Sequence, residues 1–344
     1  MHPESLCVLL RCLLSAVTLF CSLFFAAAVQ ADRCQQIRAG LDIGSGTTKI
    51  AVARVNVCQL RIEKMMYQDQ RAVAWNEALA HSTDNQLSPA MTHEGAAALQ
   101  QLLTQAQRFH PQRISGVATA VFRNASNGQA VIDQLQRQTG AQISIISQQQ
   151  EAKLGFLSAK AALNDPAIRD EQLLVWDIGG GSMQMTAWRQ QAGQAVADIY
   201  QGKLASVTLK NFILTVLKNS PEAKSPNPIG SWRQSVLRFV QFYAANEVSP
   251  QIKQDLASRR VIGIGGVHGF SIRHQLPGKP HRYSLTTLSQ LSQQQVWKGD
   301  SELPGDYRAT DVSNLLLVEG YMQALKINEV TIVEASLIQG VLLQ

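Results

Sequence analysis

Six residues written twice constrain this chain more than any other feature. Asp42-Ile43-Gly44-Ser45-Gly46-Thr47 returns 135 residues later as Asp177-Ile178-Gly179-Gly180-Gly181-Ser182. Each copy is Asp, Ile, Gly, a small residue, Gly and a hydroxyl. Each joins two apolar runs, RAGLDI to TKIAVARV and LLVWDI to MQMTAW. An apolar run, a glycine turn and a second apolar run read as a β-hairpin. Its recurrence at long spacing predicts two copies of one supersecondary plan, hence an α/β protein of two similar lobes facing each other across a cleft. With 45% hydrophobic and 16% charged residues, a chain of 344 has core enough for two domains and is neither disordered nor collagen-like.

The segments between the hairpins alternate helix and strand. Ser88-Pro89 supplies an N-cap and a first-turn proline, and Leu99, Leu102, Leu103 and Ala106 follow at helical spacing. Strands are expected over 114–119 and 141–146, with a helix over 130–138. Ser147 and Gln150 form an S-x-x-Q capping box, which opens a helix running through Glu151 toward Ala162. The lobe boundary is placed there, giving 32–146 and 147–344. In the second lobe, residues 219–230 and 275–282 are proline-rich loops, and the Gln-rich stretch from Ser289 is an exposed helix. A helix over 312–325, a strand over 329–334 and a helix over 335–343 close the chain.

Residues 12–31 carry no charge, follow Arg11 and end in Ala26, Ala28 and Ala31. They read as a secretory signal cleaved after Ala31, which makes the protein periplasmic or secreted. The alternative is an uncleaved anchor that leaves the body facing the periplasm. No lipid-anchor signal precedes Cys21, because Thr18, Leu19 and Phe20 are too bulky. Three of the five cysteines fall in residues 1–31, leaving Cys34 and Cys58. In an oxidising compartment these are expected to pair, since they sit symmetrically about Gly46 at the base of the first hairpin; two unpaired buried thiols are the alternative. The net charge of +6, unchanged without residues 1–31, favours an acidic ligand. The basic residues are scattered, so no nucleic-acid stripe is present.

A turn of glycines and hydroxyls leaves backbone N–H groups free to converge on phosphate oxygens. Gly44, Ser45, Gly46, Thr47, Gly179, Gly180, Gly181 and Ser182 are therefore candidate phosphate-binding residues, although a single such turn often needs glycine only for its backbone shape. Asp42 and Asp177 each end a buried strand, where an unpaired carboxylate is costly. They are candidates for holding hydrated Mg²⁺ or orienting a water, or else they cap their own turns. A third turn, Gly263-Ile264-Gly265-Gly266, either approaches the ligand through Gly265 and Gly266 or only packs closely. Lys49 could reach a phosphate or lie on the surface.

Together these segments resemble the exopolyphosphatase and guanosine pentaphosphate phosphohydrolase family, within the actin-like ATPase superfamily of ribonuclease H-like fold. DIGSGTTKIAVARV is similar to its first phosphate loop, GVATAVFRNASNG to its Thr-to-Arg loop, and ISIISQQQEAKLGF to the segment bearing its catalytic glutamate. WDIGGGSMQM is similar to its second loop, GIGGVHG to its third turn, and TIVEASLIQGVLL to its closing strand and helix. The resemblance implies Glu151 as the base that activates water, the alternative being a solvated first-turn Glu favoured by the helix dipole. It implies Arg123 as a phosphate-contacting residue, the alternative being an exposed salt-bridging arginine. It further implies Mg²⁺ as cofactor and polyphosphate or a polyphosphorylated nucleotide as ligand. No stable membrane insertion is expected once residues 1–31 are removed, and a homodimer remains open.

This chain departs from the family pattern at several positions. Gln184 stands where the family usually has a glutamate implicated in the metal site, Gln150 replaces an acidic neighbour of Glu151, and Val267 and His268 replace small hydroxyl residues. The helical C-terminal extension of longer exopolyphosphatases is not seen in this sequence, which implies low processivity. The expected activity is release of terminal orthophosphate. A catalytically weak phosphate-chain sensor is the alternative, and a nucleotide-driven actin-like or kinase protein is a third reading, disfavoured where ATP is scarce.

Overall fold

The computed structural model describes residues 34–165, 167–304 and 307–344. The expected signal, with its anchor alternative, lies outside them. No helix among the described residues is long and apolar enough to cross a membrane.

Two sheets are built to one plan. In the first, β1 (Gln35–Ile43), β2 (Thr47–Asn56) and β3 (Arg61–Ala72) form an antiparallel meander, and β4 (Arg113–Ala118) and β5 (Gln142–Ile145) continue parallel to β1 in the order β3-β2-β1-β4-β5. In the second, β6 (Leu173–Ile178), β7 (Met183–Gln191) and β8 (Gln194–Gly202) form the meander. Next to β6 come β9 (Arg260–Ile264) and β11 (Glu329–Ile332) in parallel, and β10 (Arg282–Ser284) closes the edge. The repeated hexapeptide is thus the β1–β2 turn in one lobe and the β6–β7 turn in the other. Registers correspond as well: Asp42 lies opposite Lys49 and Asp177 opposite Gln184.

Each sheet has its own core. Leu41, Ile43, Ile50 and Val52 pack under Leu99, Leu102 and Leu103 of the Pro89–Gln107 helix. Trp176, Met183 and Met185 pack against Leu315, Leu316 and Tyr321 of the Arg308–Leu325 helix. That helix is buried on almost every turn, which is why its sequence is apolar with little amphipathic contrast. Ser88 caps the first of these helices at Met91 N–H, 3.1 Å away, as its Ser-Pro start predicts.

Between the sheets lie two helices that touch each other, Gln148–Leu163 and Leu337–Leu343. The first packs on β6 and β7, whereas the second crosses back onto β1, β2 and β4. The last segment of the chain therefore completes the first lobe rather than ending in the second. Ile338 and Leu342 fill a cluster with Ala51, Ala53 and Val55. Gly340 lets the two helices approach, since a Cβ there would stand 2.7 Å from Leu154 O, and its N–H donates to the buried Ser158 hydroxyl at 2.7 Å. Cys34 and Cys58 are disulfide-bonded at the foot of β1 and β2, with Cα atoms 5.3 Å apart.

Candidate active site

The two glycine turns close identically. Gly44 N–H donates to Thr47 O at 3.0 Å, and Gly179 N–H donates to Ser182 O at 3.0 Å. Neighbouring segments tie down the turn carbonyls. Asn76 and Val73 donate to Ser45 O and Gly46 O, while Ser206 and Val207 donate to Gly179 O and Gly180 O. Among the described residues nothing accepts from the N–H groups of Ser45, Gly46, Gly180 or Gly181. Both turns line one cavity of about 530 Å³ between the sheets, so the N–H groups left free belong to a single concave wall.

The third turn joins that wall through Gly265 and Gly266. Gly265 has φ of +82°, and a Cβ there would collide with Asp177 Oδ1, so glycine is required both by conformation and by contact. Asp42, Asp177 and Glu151 line the same cavity. Neither aspartate caps its own turn: the Gly44 and Gly179 N–H groups go to Thr47 O and Ser182 O instead. Among the described residues, neither Asp42 nor Asp177 receives a hydrogen bond on its side chain, and no group of three or more His, Cys, Asp or Glu is placed to hold a metal by protein ligands alone.

Three carboxylates face one cavity, and burial raises all of them. Burial pushes the Asp177 carboxyl up to about 7, the Glu151 and Asp42 charges add to this, and Lys49 opposes it. Burial likewise raises Asp42 against the pull of Lys49. Glu151 is raised first by burial and then by Asp42, and Arg123 works against the shift. A carboxylate above its ordinary range is a stronger acceptor for a proton from water.

Glu151 is placed by its helix. The expected capping box is present: Gln150 N–H donates to Ser147 Oγ at 3.1 Å, and Ser147 N–H donates to Gln150 Oε1 at 2.9 Å. This fixes the first turn so that Glu151 points inward, only 7% exposed, rather than into solvent.

Arg123 is held differently from the expectation. It sits on a one-turn helix, Ala120–Asn124, not a loop. Its Nη1 pairs with Glu151 Oε2 at 2.7 Å and donates to Ile146 O at 2.8 Å, which places it behind Glu151 and out of the cavity wall. Gln184 is also absent from the wall. It is buried, and its Nε2 donates to Ser182 Oγ at 3.2 Å. His268 is core: Nδ1 lies 2.8 Å from Tyr283 Oη, and burial lowers its pKa to about 3. Lys49, by contrast, lines the cavity. So does Lys210, on the Ser206–Phe212 helix, which the sequence reading missed because so short a helix carries no clear periodicity.

Comparison with known proteins fits this geometry. The sequence model of the Ppx/GppA phosphatase family matches residues 51–211. A guanosine-5'-triphosphate,3'-diphosphate pyrophosphatase from Aeromonas salmonicida is 24% identical over 88% of this chain, which spans 58% of that relative's length. The Aquifex aeolicus member of the Ppx/GppA family superposes with a TM-score of 0.70 at 15% identity, covering 90% of this chain and 97% of that one. An exopolyphosphatase from Cytophaga hutchinsonii gives 0.67 at 18% identity, with coverage of 89% and 96%. The duplicated loop, the matched lobes and these likenesses agree: residues 51–211 carry the sequence pattern of the Ppx/GppA phosphatase family, and the chain has the two-lobed α/β fold of that family's solved members.

Proposed function

We propose that this protein hydrolyses a terminal phosphoanhydride of polyphosphate or of a polyphosphorylated nucleotide, and does so outside the cytoplasm. The observation that carries the reading is the convergence of Glu151 with the N–H faces of both glycine turns on one cavity. The turns hold phosphate oxygens, with Lys49 and Lys210 adding positive charge. Glu151 takes a proton from a water aimed at the terminal phosphorus. A bond forms from that water's oxygen to phosphorus as the bridging P–O bond breaks. The electron pair leaves on the bridging oxygen, giving orthophosphate and a chain one phosphate shorter. Arg123 acts through Glu151, holding its carboxylate in place against the rise that burial causes.

A divalent cation belongs to the same proposal. The cavity's charged side chains are Asp42, Glu77, Glu151 and Asp177 against Lys49 and Lys210, an acidic balance that alone repels a polyanion. Asp42 and Asp177, without hydrogen-bond partners among the described residues, suit a hard ion such as Mg²⁺ that keeps most of its waters. When bound, it offsets phosphate charge. Support for export is the disulfide between Cys34 and Cys58, a bond of oxidising compartments, together with the apolar run at residues 12–31.

The test is Glu151→Gln. It keeps the shape of the side chain and removes the base, so orthophosphate release from short polyphosphate, long polyphosphate and guanosine pentaphosphate should fall by about 10²-fold or more. Circular dichroism should be unchanged, and turnover equal to the parent protein would refute the assignment.

A further inference from the structure

No residue from Tyr283 to Trp297 is charged, although 16% of the chain is. Most of this stretch is the Leu285–Gln295 helix, which buries Leu288, Leu291, Ser292 and Gln295 on its inner face. Val296 keeps helical backbone angles past its end, so the helical face extends to Trp297. On the outer side Thr286, Gln290, Gln293 and Trp297 all stand exposed, each three or four residues from the last. They form one stripe of about 16 Å at 1.5 Å per residue. A solvent-facing helix stripe ordinarily carries charge; this one offers a hydroxyl, two amides and an indole.

The indole at the end of the stripe is exposed but fixed. Trp297 is 68% exposed, and one edge of its ring rests on Gly230, where a Cβ would stand 3.3 Å from Cζ3. Gly230 N–H donates to Val296 O at 2.7 Å, which locks the two segments together. A second indole, Trp232, follows Gly230 by two residues and is 39% exposed. Its neighbour Arg233 donates to Ser292 Oγ at 2.9 Å on the helix's inner face and pairs with the buried Glu319 at 2.7 Å. Rings held in this way lose little freedom when a ligand arrives.

We propose that this face binds a neutral glycan strand, with Trp297 and Trp232 taking the C–H faces of sugar rings while Thr286, Gln290 and Gln293 exchange hydrogen bonds with hydroxyl or acetamido groups. An indole is flat and apolar with one N–H, and an amide both donates and accepts, as a sugar does. Other occupants fit less well. Without a charge the stripe has nothing to pair with a phosphate chain or an acidic protein. An apolar protein surface would strip water from both amides without replacing their hydrogen bonds. A bilayer surface calls for an apolar face flanked by Lys and Arg. Export, as proposed above, brings the chain to where such strands occur. None of these residues lines the cavity between the sheets, so the two sites are separate.

The test is calorimetric titration of the wild-type protein with chitohexaose and with cellohexaose. Binding of chitohexaose alone assigns a strand of acetamido sugars, whereas binding of cellohexaose assigns a strand read through its hydroxyls and ring faces. Trp297→Ala should weaken that binding about fivefold or more, the size of one aromatic stacking contact, and Trp297→Phe should retain most of it. Gln290→Ala combined with Gln293→Ala should weaken it by a similar factor; both positions are exposed and alanine favours a helix, so this variant folds. Phosphate release from tripolyphosphate should be the same in all of these variants, which separates this outcome from the hydrolase reading; a fall in release with Trp297→Ala would tie the ring to the cavity and overturn a separate site. Failure of both oligosaccharides to bind, or an affinity untouched by Trp297→Ala, overturns the proposal. So does Trp297-dependent self-association in sedimentation, or Trp297-dependent binding to phosphatidylglycerol vesicles, where neither sugar binds.

Discussion

Replacing Asp177 with asparagine should make the folded protein more stable at neutral pH, although the residue lies in the centre of the candidate site. Asp177 sits at the end of β6 with its carboxyl raised from an ordinary 3.8 to about 7, first by burial and then by the charges of Glu151 and Asp42. Because the folded state keeps a proton that the unfolded chain has released, stability falls as pH rises between those values. A shift of about 3 units at about 1.4 kcal/mol each sets a ceiling near 4 kcal/mol. Asp177 keeps a partial opening to the cavity, and solvent there screens part of the penalty, so about 2 kcal/mol is the expected gain. Asparagine preserves the shape and titrates nothing. The assay is urea unfolding of wild type and Asp177→Asn from pH 4 to pH 8, without metal or phosphate. The two proteins should be nearly equal at pH 4, and the variant should pull ahead as pH approaches 8. Parallel curves would refute the idea that these carboxylates share a field. Activity should be lost in the same variant, which separates stability from function at one residue.

Three further expectations follow from the same geometry. Gly265→Ala forces a side chain into Asp177 Oδ1 at a φ of +82°, so it should cost roughly 2 kcal/mol or more in denaturant unfolding and weaken phosphate binding by equilibrium titration; a neutral result would mean the turn can re-form. Arg123→Ala removes the charge that holds Glu151 down, so the acid limb of the pH–rate profile should move to higher pH, and a limb that stays put would show that Arg123 does not act through Glu151. Ser158→Ala leaves the buried Gly340 N–H unpaired and should cost about 1–3 kcal/mol, read as a lower unfolding midpoint with the far-UV spectrum intact.

The sequence disclosed this architecture because its punctuation is local. Asp-Ile-Gly turns between β-branched runs make hairpins wherever they occur, and the Ser-Pro and Ser-x-x-Gln starts position the Pro89–Gln107 and Gln148–Leu163 helices from within themselves. Elements with weak local signals were not legible. β3, RIEKMMYQDQRA, is a largely polar edge strand that exists because β2 offers it a ladder, and the Ser206–Phe212 helix is too short for periodicity to show. The disulfide was legible, since hairpin symmetry alone brings Cys34 and Cys58 together.

By itself, then, the sequence determined two similar lobes, two glycine turns and a glutamate early in a capped helix, all properties of neighbours along the chain. Tertiary structure alone decided which groups meet. It set Arg123 behind Glu151 and turned Gln184 toward Ser182. It brought Lys49, Lys210, Phe270 and Asn314 to one cavity, and it carried the last helix back across the first sheet. Those outcomes depend on how the two sheets pack around the paired Gln148–Leu163 and Leu337–Leu343 helices. Burial and long-range contact, unlike turn chemistry, are summed over residues far apart in the chain.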